Sequence, residues 1–294
     1  MRWRRGHRSA DVIDRRGQGG RRRRIPGGKG GLGLGGIVLI FIISVVFKQD
    51  FFSLLNAAGG TAAIDGGTTT TSAPPAATSA QEEERFQFVS FVLDDVQNVW
   101  SKLLPERLGQ PYRRAKMVVF RDSTPTACGY GESASGPFYC PGDEQVYLDL
   151  SFFDQLHQRF GAPGDFAQAY VIAHEIGHHL QTVLGIERQV RQLQRQNRAQ
   201  ANELSVRMEL QADCLAGVWA NSTAKRDLLE RGDIEESLGA ASAIGDDSIQ
   251  KQTRGRVNPD SFTHGSSAQR VRWFRRGLES GDPDQCDTFA AQRL

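Results

Sequence analysis

The chain has 294 residues, of which 39% are hydrophobic and 24% charged, and this leaves room for one folded domain of about 200 residues beside its tethering segments. Its net charge of +2 is unevenly distributed. Residues 1–36 contain ten Arg and one Lys against two Asp, giving +9, and the remainder carries −7, the difference between +2 and +9. An acidic body excludes nucleic acid as the main partner, since nucleic-acid-binding domains carry a basic surface.

The beginning of the chain predicts a membrane anchor. Residues 1–36 form a basic, Gly-rich tail, and no charged residue occurs between residues 30 and 47. Those eighteen residues are close to the lower limit of about 17 to 25 for a spanning helix, and we place the anchor at residues 37–55. Basic residues before an apolar span remain in the cytoplasm, so we expect a single-pass protein with a cytoplasmic N-terminus. The rest of the chain then lies on the extracytoplasmic (periplasmic or extracellular) side.

A cleaved signal peptide is the alternative to an anchor. More than thirty residues precede the apolar core, whereas a signal peptide has about 15 to 30 residues in all. The length of the preceding segment therefore favours an uncleaved anchor.

A linker and one domain follow the anchor. Residues 56–84 are rich in Ala, Gly, Thr, Ser and Pro and lack the apolar content to fold, which predicts a flexible spacer. The domain is assigned to residues 85–294 and begins with an amphipathic helix that we expect to end before Pro105. Strands are predicted at residues 116–120, 138–139 and 145–149. Helices follow, so the order predicts an α+β fold that is mostly helical with a small antiparallel sheet.

The segment His174-Glu-Ile-Gly-His178 is the strongest functional signal. It lies in a predicted helix with Asp165 as its N-cap that continues to Gly185. Two histidines four positions apart share one face of a helix, so both imidazoles can reach one metal ion. A catalytic zinc site uses three protein ligands and a water, and Glu175 is placed to take a proton from that water. The alternative is a helix whose histidines are solvated or satisfied in the core.

A downstream pattern supplies the third ligand. Glu209-Leu-Gln-Ala-Asp213 lies in a predicted helix over roughly residues 198–222, and E-x-x-A-D after H-E-x-x-H resembles zinc metallopeptidases of the gluzincin kind. The resemblance implies that Glu209 binds zinc and that Asp213 accepts a hydrogen bond from a ligand histidine. The alternative for Glu209 is a solvated carboxylate on the helix face.

A wider pattern extends over the domain. It comprises residues 128–129, 136–141, 146–149, 174–178, 208–214 and 261–270. Together these segments resemble the bacterial membrane-anchored family called putative neutral zinc metallopeptidases, over most of residues 85–294. The resemblance implies a gluzincin-like zincin domain, a Zn²⁺ cofactor and a protein or peptide substrate.

The late segment Thr263-His264-Gly265, followed by Arg270, resembles the late histidine-arginine segment of gluzincins related to the CAAX-processing proteases. That resemblance makes His264, and in second place Arg270, the candidate donor to the oxyanion that forms on the scissile carbonyl. A salt bridge or a helix cap is the alternative role for either residue.

Similar enzymes usually present a free strand edge next to the active-site helix, and an extended peptide can add to it by main-chain hydrogen bonds. We expect that edge between residues 137 and 149. Tyr139 and Tyr147 are candidates to line it, with plain sheet packing as the alternative.

The four cysteines are relevant to the cellular compartment of the domain and to the choice of metal ligands. An even number in an exported domain favours disulfides. Cys128 and Cys140 flank a short loop before the predicted hairpin, and we pair them, which leaves Cys214 with Cys286. Cys214 follows Asp213 directly, so a zinc-ligand role or a buried thiol is the alternative. A thiolate would fill the position that a catalytic zinc leaves open, and this favours the disulfide.

These patterns predict a membrane-anchored zinc metalloendopeptidase in which Glu175 is the general base. The alternative is a catalytically inactive membrane-tethered scaffold that binds zinc or peptides. Glu175 argues against that alternative, since a structural zinc site needs no general base.

Overall fold

The computed structural model describes residues 1–17, 79–133, 136–158, 161–162 and 164–294. The anchor predicted at residues 37–55 and most of the linker predicted at residues 56–84 lie outside the described residues. Within the described ranges, no helix is both long enough and apolar enough to cross a membrane.

The described residues form eight α-helices and six β-strands, so the α+β class and the largely helical content are confirmed. The helices are α1 (Ala80–Leu108), α2 (Phe152–Gln158), α3 (Asp165–Val183), α4 (Ile186–Gln196), α5 (Ala201–Lys225), α6 (Asp233–Ala243), α7 (Asp246–Arg254) and α8 (Ser267–Ser280). The strands are β1 (Val12–Asp14), β2 (Lys116–Phe120), β3 (Ser123–Thr126), β4 (Gly129–Glu132), β5 (Phe138–Cys140) and β6 (Gln145–Asp149).

Four strands form a mixed sheet, whereas we predicted a small antiparallel one. Their order is β1-β2-β6-β5, with β1 and β6 parallel to β2 and β5 antiparallel to β6. The difference arises because the chain makes the β3-β4 hairpin and β5 after β2, and then enters β6 in the direction of β2. A parallel pair needs a long connection of this kind. The predicted hairpin between β5 and β6 is confirmed.

Helix α1 is longer than the pattern predicted. It begins at Ala80, where the Ser79 hydroxyl caps the first turn, and so starts five residues before residue 85. Pro105 lies inside the helix, and the expected end before Pro105 is therefore wrong. Only three residues follow Pro105 before the helix ends at Leu108, so the hydrogen bond that proline removes is lost from the last turns alone.

The first seventeen residues, here called the arm, fold against the body, which is the described chain from residue 79 to residue 294. Strand β1 of the arm pairs in parallel with β2, with Val12 opposite Met117. The Met1 side chain is only 3% exposed and joins the main hydrophobic core. The structure differs here from the sequence-based boundary, which assigned these residues to a tail separate from the domain.

Helix α3 packs against α5, and α5 packs against α8. Asp165 is the first residue of α3 and not its N-cap, as we had predicted. A Cβ atom at Gly177 would lie 2.9 Å from the Ala212 Cα atom, so glycine allows α3 and α5 to approach closely. A Cβ atom at Gly277 would lie 1.9 Å from the Cys214 carbonyl oxygen, which brings α8 against α5 in the same way. The candidate site residues on the three helices are therefore held at short range by these close backbone approaches.

Two disulfides are present, and both have the predicted pairing. Cys128 and Cys140 join the turn of the β3-β4 hairpin to β5, and Cys214 and Cys286 join α5 to a short 3-10 helix near the C-terminus. Cys214 therefore has no free thiolate to offer a metal ion.

Candidate metal centre

Two histidines and one glutamate meet where α3 packs against α5. His174 and His178 lie one turn apart on α3, and Glu209 lies on α5. The Glu209 carboxylate is 3.2 Å from His174 Nε2 and 3.5 Å from His178 Nε2. One potential ligand atom from each residue lies within 4.8 Å of the other two. The structure brings these three predicted ligands together, and it buries Glu175 next to His174 with 7% of its surface exposed.

A hydrogen bond orients each imidazole. His174 Nδ1 lies 2.8 Å from Asp213 Oδ1, and His178 Nδ1 lies 2.9 Å from Gln181 Oε1. Carboxylate and amide oxygens only accept hydrogen bonds, so each Nδ1 carries a proton and each Nε2 is left for a metal ion. The Gln181 amide nitrogen donates to the Met208 carbonyl at 2.7 Å, and this turns its oxygen towards His178. Histidines that bind zinc have partners of this kind.

A buried network lies behind His174. Arg270 donates from Nε to Asp213 Oδ2 at 2.9 Å and from a terminal nitrogen to Asp213 Oδ1 at 2.8 Å. The Tyr170 hydroxyl donates to the same Oδ1 atom at 2.6 Å. The Arg270 side chain is 2% exposed and Asp213 is fully buried. Nε and one terminal nitrogen of the guanidinium are therefore committed to Asp213 and Tyr170.

In this network, charged neighbours shift the pKa values of the buried groups in the direction opposite to the shift that burial causes. Burial raises the pKa of Asp213, but the Arg270 guanidinium and His174 together hold it below its usual value. Burial lowers the pKa of His174, but Asp213 and the hydrogen bond to Glu209 raise it to about 10. Burial also raises the pKa of Glu209, but the neighbouring histidines hold it well below its usual range. His174 is thus a cation in the metal-free site, and a metal ion that binds there must displace a proton.

His264 lies on the loop before α8. The negative charge of Glu209 acts to raise the pKa of His264, and a positive charge on His264 acts to lower the pKa of Glu209. Asp246, the first residue of α7, binds this loop. Its Oδ2 atom accepts the backbone amides of Thr263 and His264 at 2.7 Å and that of Gly265 at 3.0 Å. Its Oδ1 atom is 3.3 Å from His264 Nδ1. The His264 side chain remains 41% exposed, so an incoming molecule can reach it.

Sequence reasoning missed three residues of this site. Tyr170 lies four residues before His174 and Gln181 three residues after His178, so helical periodicity could have identified both. Asp246 is separated from His264 by 18 residues, and the sequence contains no local signal for that contact.

His179 connects α3 to the sheet. Its Nε2 atom donates to the Arg113 carbonyl at 2.6 Å, and its Nδ1 atom accepts the Tyr139 hydroxyl at 3.1 Å. Tyr139 lies on β5, so this contact places β5 beside the helix that carries the ligands. Tyr147 is buried instead and stacks on Phe138 with ring centres 5.1 Å apart, which is plain sheet packing.

Comparison with known families agrees with this geometry. A family model described as putative neutral zinc metallopeptidase matches residues 1–289. The chain belongs to this family. The match begins in the arm and includes every residue of the candidate metal centre described above.

Relatives match the chain over different lengths. Uncharacterized protein YpfJ of Escherichia coli (strain K12) is 47% identical over 296 residues, which cover 98% of this chain and 99% of that protein. Uncharacterized protein Mb2605 of Mycobacterium bovis and Uncharacterized protein Rv2575 of Mycobacterium tuberculosis are each 46% identical over 212 residues, which cover 68% of this chain and 69% of those proteins. No solved structure matches the chain.

Proposed function

We propose that the chain is a zinc-dependent metalloendopeptidase that hydrolyses peptide bonds. The proposal rests on one observation. Potential ligand atoms of His174, His178 and Glu209 lie around one point, and Glu175 is buried beside His174. Membership of the family supports a zinc peptidase in general terms, and the individual residue roles are argued from geometry.

The donor set fits zinc. Two imidazole nitrogens and one carboxylate are the protein ligands of a common class of catalytic zinc site. Both imidazoles have an acceptor at Nδ1, and Glu209 is ionised because its pKa is held well below its usual range. When bound, a zinc ion in such a site lowers the pKa of a coordinated water to about 7 and polarises the scissile carbonyl.

Residues of the chain then transfer the protons and stabilise the charge that develops. Glu175 accepts the proton of the attacking water and delivers it to the leaving amine. Asp213 fixes the ring orientation of His174. His264 donates a hydrogen bond to the carbonyl oxygen as that oxygen gains negative charge, and its exposed side chain supports this role. Arg270 stays the second candidate for this role, because its Nε and one terminal nitrogen already bind Asp213 and Tyr170.

The position of β5 supports an extended peptide as substrate. β5 is the last strand in the order β1-β2-β6-β5, so one of its edges is unpaired within the described part of the sheet. The bond between Tyr139 and His179 places that strand against α3. A substrate strand that adds to this edge gains main-chain hydrogen bonds and runs past the ligand histidines.

We further propose that the body works on the extracytoplasmic side of the cell membrane, attached through the apolar segment predicted at residues 37–55. The two disulfides support this compartment, because disulfides persist in oxidising environments and are rare in the cytosol.

A comparison of Glu175→Gln with the wild type tests the catalytic proposal. The full-length proteins are assayed for zinc per chain and for hydrolysis of fluorescently labelled casein, an unfolded substrate. We expect Glu175→Gln to retain zinc and to lose turnover by about 10²- to 10⁴-fold, the usual contribution of a general base. His174→Ala is expected to lose both. The matched control Glu203→Gln, at an exposed position of α5, is expected to lose neither.

Two results would overturn the proposal. Turnover retained by Glu175→Gln removes the general-base role. Stoichiometric zinc without any hydrolysis by the wild type supports the inactive scaffold instead.

A further inference from the structure

The arm contacts the body from its first residues to its last. The Arg2 amide donates to the Leu228 carbonyl at 2.7 Å, and Trp3 packs edge-on against Phe88 with ring centres 5.4 Å apart. β1 then adds to the edge of β2, where the Arg15 amide donates to the Val119 carbonyl at 2.8 Å. These contacts give the arm the same kind of packing as the rest of the core.

The Met1 ammonium group lies among carboxylates at the start of α3. It contacts Asp165, the first residue of that helix, and lies 3.3 Å from both Asp233 and Glu230. A buried cation requires such partners, because its desolvation is otherwise unfavourable. The arm therefore reaches the helix that carries the candidate metal ligands.

The charges of the arm are also matched by the body. Asp11 lies 2.7 Å from Lys116, and Arg5 lies 2.6 Å from Glu84. Six of the ten arginines in residues 1–36 belong to the arm. The positive flank that predicts a cytoplasmic N-terminus is therefore partly engaged in ion pairs with the body, and it is a weaker topological signal than its sequence suggests.

The end of the arm lies beside the beginning of α1. Arg16 is 3.6 Å from Glu82 and 3.4 Å from Glu83, both in the first turn of that helix. The chain thus leaves the described structure after residue 17 and returns at residue 79 in the same neighbourhood. Both points lie on one side of any membrane as long as these contacts exist.

We infer that the arm and the body lie on the same side of the membrane and form one folded unit there. A single crossing between residues 17 and 79, which the basic flank predicts, places them on opposite sides and makes the pairing of β1 with β2 impossible. Separation of the arm from the body also exposes the edge of β2 that β1 covers, and it removes Asp11, the ion-pair partner of Lys116. The inference replaces both the predicted cytoplasmic position of residues 1–17 and the single crossing predicted at residues 37–55. It does not depend on the proposed peptidase activity.

Cysteine labelling of the full-length chain in spheroplasts tests this inference. All four native cysteines are paired, so a single introduced thiol is the only target. Arg4→Cys reports on the arm and Lys102→Cys on the body, and both positions are exposed. A membrane-impermeant maleimide is applied before and after lysis, and the reaction after lysis normalises each variant.

The two variants are expected to give equal fractions of labelling before lysis, either both high or both low. Labelling of one and protection of the other overturns the inference. A second measurement tests docking itself, through the double variant Val12→Cys/Met117→Cys. These residues are direct partners in a parallel pair, and neighbouring strands are about 4.8 Å apart, which is within reach of a disulfide. Oxidation is expected to produce an arm-to-body cross-link that alters mobility in a non-reducing gel, and its absence also overturns the inference.

Discussion

The Asp213→Asn substitution is expected to weaken zinc binding and to destabilise the fold, for two separate reasons. Loss of the charged acceptor for His174 lowers zinc affinity by about 10- to 100-fold, or about 1.4 to 2.7 kcal/mol. Loss of the negative charge also leaves the Arg270 guanidinium buried without its counter-ion, at 2.8 and 2.9 Å from an amide instead of a carboxylate. Breaking a buried ion pair on one side costs about 3 to 5 kcal/mol of folding free energy.

A double variant separates these two effects. Asp213→Asn/Arg270→Met removes the orphaned cation together with its partner, and replacement of both members of a buried pair is often close to neutral. We expect it to recover most of the stability and none of the zinc affinity. Urea unfolding of the zinc-free proteins measures the first quantity, and competition with a chelator measures the second. Asp260→Asn, at an exposed position, is the control. Full zinc affinity in the single variant, or its recovery in the double variant, refutes the orienting role of Asp213.

Three further predictions concern the same site. Glu209→Gln is expected to lower bound zinc as strongly as His174→Ala, and full zinc content on metal analysis contradicts the third-ligand assignment. Zinc affinity is expected to rise about tenfold per pH unit below the pKa of about 10 of His174, because that proton must leave when zinc binds; a flat affinity between about pH 6 and 9, measured by chelator competition, contradicts this sign. Asp246→Ala is expected to lower casein turnover by up to about 100-fold at unchanged zinc affinity, because it displaces the His264 loop and leaves the ligands in place. Equal turnover shows that the loop position is not important.

The cluster of candidate metal ligands was partly predictable, because the spacing of His174 and His178 is a local property of the chain. His174 and His178 share a helix face whatever the rest of the fold does. Glu209 and Asp213 show the same spacing on a second helix, and a family resemblance gave their roles. The Cys128–Cys140 pair could be proposed for a similar reason, since only 12 residues separate the two.

The features that the sequence did not reveal depend on distant contacts. β1 has three residues and lies in a strongly basic segment, so its composition indicates a tail. Its partner Met117 lies on a strand that starts about a hundred residues later. The sheet is mixed because β2 also pairs in parallel with β6, which follows β2 only after three intervening strands. Asp246 has the appearance of an ordinary acidic residue in the first turn of a helix, and only the packing of α7 against the loop before α8 shows what it binds.

Helix α3 is constrained at three points that do not contact a metal ion. Asp165 at its start binds the Met1 ammonium group, Gly177 in its middle lies against the backbone of α5, and His179 near its end binds Tyr139 on the sheet. A catalytic constellation must be kept within about 0.5 Å of its working geometry, and this precision is reached by packing and hydrogen bonds that support a rigid helix or strand. The arm supplies the first of these constraints. Any attachment of the chain to a membrane therefore has to keep the arm with the body, because otherwise the helix that carries His174 and His178 loses the contact at its first turn.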